Sequence, residues 1–184
     1  PPEDRTAGAR LHGMQCWVAL TREAEETEPV FEHLPARSLP GFDGDGIHYR
    51  VIAGTAFGLT APVAVHSPLG YAAIQLQAGR ELAIPPEHAE RALYVAEGSL
   101  EAGEQAVTTG QLALLKPRVS VALRAREDCR VMLVAGEPLE EPRHIWWNFV
   151  SSSEARLARA KADWREGRFG PVPGEKEFIP LPPD

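Results

Sequence analysis

The sequence predicts an all-β protein, an antiparallel barrel or sandwich followed by one C-terminal α-helix. Three observations carry that prediction. Between Ile47 and Leu139, short runs alternate apolar and polar residues with period two. Gly, Pro or small polar clusters break these runs at close spacing, as a series of short strands requires. After residue 150 the period becomes helical, in "SSSEARLARAKADWREGRFG".

The elements follow in chain order. "LHGMQCWVAL", 11–20, is a strand candidate, with Met14, Cys16 and Val18 alternating with Gln15, Trp17 and Ala19. "TREAEETEP" is a charged surface segment, and 30–46 contains Pro35, Pro40 and three glycines, so it reads as a connector. Asp43 and Asp45 sit between those glycines; a calcium loop would need a further spaced oxygen ligand and a later Glu, so a turn is expected. "IHYRVIAG" then places Ile47, Tyr49 and Val51 on one face, and "GYAAIQLQAG" places Ala72, Ile74 and Leu76 together. "RALYVAEG", "QAVTTGQLALL", "VSVALRA" and "CRVMLVAGEPL" continue the series, with Val119, Val121 and Leu123 sharing a side.

Ser151 with Glu154 fits a capping box for the helix. Leu157, Ala160, Lys161 and Trp164 share one helical face, and Gly167 or Gly170 can end it. "PVPGEKEFIPLPPD" is a proline-rich tail, expected to be extended and laid on the surface. In "HIWWNFV", strand alternation would send one of Trp146 and Trp147 to the core and the other under the helix.

Composition narrows the function classes. At 184 residues and 43% hydrophobic the chain can bury a core. No apolar run approaches ~18 residues and no signal-peptide pattern opens the sequence, so a cytoplasmic protein is expected. The net charge of −7 opposes binding to nucleic acid, and the cluster of Arg156, Arg159, Lys161, Arg165 and Arg168 reads as a solvated helix face. Cys16 and Cys129 lack metal or disulfide spacing and sit among apolar neighbours, so both are expected to be reduced and buried. The remaining histidines, His12, His33, His48, His66 and His144, show no i, i+2 or i, i+4 pairing.

The stretch "PPEHAERALYVAEGSLEAG", 85–103, has the outline of a metal-holding hairpin. It resembles the first cupin motif, in which a Gly is followed by two His two residues apart, then a Glu, then a closing Gly. Residues two apart on a strand face one cavity, which is why that spacing makes a metal site. Gly79 and Gly98 stand at the right separation, and the ligand slots fall on Pro85, Glu87 and Arg91. Proline cannot coordinate, and arginine is a permanent cation that repels a metal. His88 and Glu90 are out of register. In the second motif, counted from Gly110, the slots fall on Lys116, Arg118 and Val121. No catalytic, cofactor-binding or metal-binding residue is therefore assigned within this chain.

Four further stretches resemble the pirin family: "LHGMQCWVAL" with "EPVFEHLPARSLP", "VIAGTAFGLTAPV", "LVAGEPLEEP", and the helix with "RFGPVPGEKEFIPLP", which looks like the bacterial form. The resemblance implies a bicupin, of which this chain is the C-terminal portion. It divides the chain into 1–28, the end of an N-terminal barrel; 29–46, a connector; 47–150, a C-terminal cupin barrel without metal ligands; and 151–184, helix and tail. It implies one iron, as Fe(II), held by three His and one Glu of the N-terminal barrel, upstream of Pro1. None of those ligands maps onto a numbered residue here, so the sequence reads as a piece of a longer or truncated protein. The partners implied are the N-terminal barrel, a flavonol-like molecule if the whole is a quercetin 2,3-dioxygenase, or a regulatory protein if it is a binding module. Met14, Trp17 and His12 would at most line a pocket; barrel packing accounts for them equally well.

Overall fold

Period-two alternation decides which face of each strand is buried, and burial then decides how the strands close. The structure, a computed structural model, describes residue 8 and residues 12–171, 173–174 and 176–183. The chain divides into two compact units, Thr21–Pro142, and Pro1–Leu20 with Arg143–Asp184.

The first unit holds eleven strands among its described residues: β1 (Gly41–Gly44), β2 (Ile47–Ala56), β3 (Leu59–Thr60), β4 (Leu69–Leu76), β5 (Glu81–Ile84), β6 (Glu90–Glu97), β7 (Ser99–Ala102), β8 (Gln105–Thr108), β9 (Leu112–Leu114), β10 (Val121–Ala125) and β11 (Cys129–Gly136). One sheet runs β1-β2-β4-β11-β6-β9, with β3 on β2; the other runs β5-β10-β7-β8. Every pairing is antiparallel. The two sheets share one apolar interior, the cupin-type β-barrel expected from the sequence. The larger sheet contributes Val51, Ile74, Leu93, Val95 and Val131; the smaller contributes Ile84, Leu100, Val107 and Leu123. In register, Val131 lies between Ile74 and Val95, and Leu133 between Ala72 and Leu93, so three central strands stack their inward residues in rows. Register shifts after Val51 in β2 and after Arg130 in β11 mark irregularities of the kind that bend a strand.

The motif glycines earn their positions by conformation. Gly98, between β6 and β7, has φ +79, and a Cβ there would lie 2.3 Å from the Asp128 carbonyl oxygen. Gly79, at the opposite end of the motif, has φ +78 but open space around it. Asp45 and Gly46 join β1 to β2 with φ of 50° and 73°, the two-residue hairpin turn whose twist suits the flanking strands.

Residues 12–20, expected to be a strand, form none, and Leu11 lies outside the described residues. Among the described residues no strand pairs with this segment, and Met14, Trp17 and Val18 are exposed, so alternation alone does not make a ladder. Cys16 is exposed, contrary to expectation, whereas Cys129 is buried against β4 and burial pushes its thiol up. Residues 41–44, read as connector, form β1 because the Asp-Gly turn folds them onto β2.

The second unit contains a hairpin, β12 (His144–Trp146) with β13 (Phe149–Ser151), and the helix α1 (Glu154–Arg165). The helix is capped by Ser153, whose hydroxyl accepts from the Arg156 N–H at 3.4 Å; Ser151, the expected cap, ends β13. Leu157 and Ala160 are buried, and Gly167 ends the helix with φ +68. Trp147 lies in the β12–β13 turn with φ +49 rather than on a strand, so alternation does not separate it from Trp146. Both rings join one aromatic group: Trp146 stacks on Phe149, and Trp147 meets Trp164 of α1 edge-on at 5.2 Å. Of the basic helix residues, Lys161 lies over the Trp146 ring at 3.7 Å and Arg168 pairs with Asp163 and Glu166. None of the described helices is long and apolar enough to cross a membrane.

Two measurements check these assignments. Gly98→Ala combines a left-handed backbone with a carbonyl collision and is expected to cost about 3 kcal/mol in urea unfolding, against about 1 kcal/mol for Gly79→Ala, where only the backbone objects. Under native conditions iodoacetamide should modify Cys16 rapidly and Cys129 only as the chain unfolds; modification of both at one rate would contradict the burial of Cys129.

Candidate functional site

The place to look for chemistry is the end of the barrel where the cupin ligand slots converge, the loop 85–89 and the start of β6. Arg91 is the second residue of β6 and its side chain points inward with Leu93 and Val95. It is only 4% exposed, and burial works against its charge. An arginine cannot shed that charge, so the interior must solvate it. Four carbonyls do so. Nη1 donates to Pro85 O at 2.7 Å and, more weakly, to Ile84 O at 3.5 Å; Nη2 donates to Lys116 O at 2.5 Å and Val119 O at 2.6 Å. Its Nε, buried, has no partner among the described atoms. The slot of the third cupin ligand thus holds a cation that ties the loop before β6 to the loop before β10.

The other slots are equally committed. Glu87 turns away from the interior, and its two oxygens accept the N–H groups of Phe57 at 2.8 Å and Gly58 at 2.6 Å. Those residues form the β2–β3 turn with φ of 55° and 69°. The carboxylate stabilises a phenylalanine held in a conformation that L-residues seldom adopt. His88 is buried, and its Nε2 lies 2.9 Å from the Thr55 carbonyl. A carbonyl only accepts, so that nitrogen carries the proton and offers no lone pair to a metal. Pro85 presents its carbonyl to Arg91, Lys116 does the same, and Val121 is an apolar strand residue.

Glu137 completes the arrangement. One oxygen accepts the Ala89 N–H at 3.0 Å and the other the Arg118 guanidinium at 2.9 Å. It was missed in the sequence because its partners lie 48 and 19 residues away. The available signal was its place in "AGEPLEEP", a motif with no evident strand role for a charged residue.

The donor set at these slots does not fit a metal ion: a guanidinium occupies the interior position and each neighbouring carboxylate or imidazole already serves a backbone group. Among the described residues no group of three His, Cys, Asp or Glu is placed to hold a metal. The scattered histidines do not converge either. His48 joins Arg50 around Asp43 on the outer face of β1–β2, where first Arg50 and then His48 hold the carboxyl below the usual carboxylate range; His144 pairs with Glu154, while His33 and His66 are exposed.

Residues 71–170 match the family model described as the pirin C-terminal cupin domain. A pirin-like protein of Caulobacter vibrioides is 46% identical over 97% of this chain and 62% of its own length. Human pirin is 28% identical over 86% of this chain and 57% of its own. The crystal structure of an Acinetobacter baumannii quercetin 2,3-dioxygenase superposes with a TM-score of 0.78 at 30% identity, covering 91% of this chain and 58% of that one. The chain therefore spans roughly three-fifths of the length of the relatives it matches.

Removing the buried cation leaves its carbonyls unpaired inside the barrel. Arg91→Met is expected to lower stability by about 3 kcal/mol in urea unfolding, with Arg91→Lys recovering only part because one ammonium cannot span both loops. Equal stability of Arg91→Met and the parent chain would contradict the role given to Arg91.

Proposed function

The chain belongs to the pirin family, and on that premise we propose that its barrel is the structural, metal-free cupin half of a two-barrel protein, with any chemistry carried by the other half. One observation supports this reading above the rest: Arg91 fills the interior ligand position and is bound by carbonyls from both flanking loops. A side chain so held cannot make way for a metal without opening the end of the barrel.

The likeness to quercetin 2,3-dioxygenase supports the proposal that the whole protein oxygenates a flavonol-like substrate. In that case iron in an N-terminal barrel would supply open coordination positions for substrate and oxygen. This chain's contribution would be a rigid wall: a filled interior, loops tied at Arg91 and Glu137, and exposed apolar side chains such as Leu112, Leu114 and Val134 against which the first barrel can bury its own.

The reading is tested by separating the halves. The 184-residue chain, incubated anaerobically with excess Fe(II) and desalted, should retain only substoichiometric iron and should not accelerate oxygen uptake with quercetin. The protein extended upstream by an N-terminal barrel should retain one iron per chain and consume oxygen when quercetin is added. Stoichiometric iron on the chain alone would overturn the structural role. Iron-loaded extended protein without quercetin-dependent oxygen uptake would overturn the dioxygenase reading and leave the structural one standing.

A further inference from the structure

An aromatic group joins the twelve-residue helix of the second unit to its short hairpin. Trp146, Trp147, Phe149, Trp164 and Phe169 form a continuous set of stacked and edge-on contacts. Trp164, in contact with Trp147, Phe149 and Phe169, also carries the tail. Its indole Nε1–H donates to the Ile179 carbonyl at 2.8 Å, and Phe178 stacks on its ring at 5.9 Å and 27°.

The tail's own chemistry explains the mode of contact. "FIPLPP", 178–183, has three prolines among six residues. Each proline fixes its φ near −65°, and each residue before a proline is driven to extended or polyproline geometry. The segment therefore needs little further ordering, and its carbonyls project outward where a donor can reach them. An aromatic surface with an indole N–H aimed at such a carbonyl is the general solution for reading proline-rich peptides.

The tail rests on this surface without being buried in it. Phe178 and Ile179 remain 59% and 60% exposed, and Phe169 43%. Beside the tail a groove of about 480 Å³ is lined by Trp164, Phe169, Gly167, Gly170, Pro171 and the tail itself. An apolar groove left partly open next to an occupant whose Phe178 and Ile179 stay more than half exposed is a place where that occupant can be exchanged.

We propose that the Trp164–Phe169 surface is a docking site for a proline-rich extended peptide of a partner protein, and that the chain's own 178–183 segment occupies it in the resting state. The incoming peptide would carry an apolar pair followed by prolines, as the resident segment does. The tail then acts as an internal competitor that lowers the apparent affinity of the site by the fraction of time it is bound. This inference is independent of the dioxygenase reading.

The test uses the full chain and a fluorescein-labelled peptide of sequence GEKEFIPLPPD, the chain's residues 174–184. In Phe178→Ser/Pro180→Ser the tail loses its ring stack and its bias, and the peptide should bind saturably in anisotropy titrations, at least about tenfold more tightly than to the parent chain. Adding Trp164→Phe keeps a ring but removes the N–H and should weaken that binding several-fold. Near-UV circular dichroism reports whether each variant keeps its aromatic packing. In the parent chain, excess unlabelled peptide should move the Phe178 ring resonances to random-coil positions as the tail is displaced. A released-tail variant with intact aromatic packing and no saturable binding would overturn the proposal, as would Phe178 resonances unmoved at millimolar peptide.

Discussion

A permanent cation inside an apolar barrel constrains the rest of this structure. Arg91 sits in a row of inward-facing residues where its strand neighbours are Leu93 and Val95. Its charge cannot be removed by deprotonation, and a buried unpaired charge is costly, so polar groups must be brought to it. The nearest available are backbone carbonyls at the barrel's end, and they can reach it only if the loops before β6 and β10 turn inward. The path of both loops, and hence the closure of that end, follows from where one guanidinium has to be solvated.

The surrounding carboxylates extend the same logic. Glu87 falls in a cupin ligand slot, and Glu137 lies beyond the end of β11. In the folded chain each accepts from two donors, Glu87 from adjacent N–H groups of the β2–β3 turn and Glu137 from Ala89 and Arg118 on separate segments. A carboxylate has two oxygens and no donor of its own when ionised, which makes it suited to joining two N–H groups across a gap. The cupin frame is kept at its glycines, where the left-handed backbone and the Asp128 carbonyl leave no room for a side chain at Gly98, while Glu87 and Arg91 between them hold loops.

The second unit solves a smaller problem differently. A hairpin of three-residue strands and a single helix cannot bury much aliphatic area, and aromatic rings supply more contact per residue. The positive φ at Trp147 lets this turn residue join Trp146 of β12 in one group. The same rings that hold the helix to the hairpin leave an outer surface on which extended, proline-containing chain can lie.

What the sequence determined by itself is the alternation, the turn chemistry and the residue types at the ligand slots. Those are local properties: period two sets the buried face of β2, β4 and β6, glycines set the turns, and proline and arginine are unsuited to metal binding wherever they point. The tertiary structure decided everything that depends on a partner distant in sequence. Residues 12–20 alternate like a strand but have no ladder; Cys16 is apolar in context but open to solvent; Trp147 leaves the strand pattern because a turn carries it. The roles of Arg91, Glu87 and Glu137 were equally invisible, since backbone hydrogen-bonding groups are present at every position and only folding chooses which ones a side chain meets.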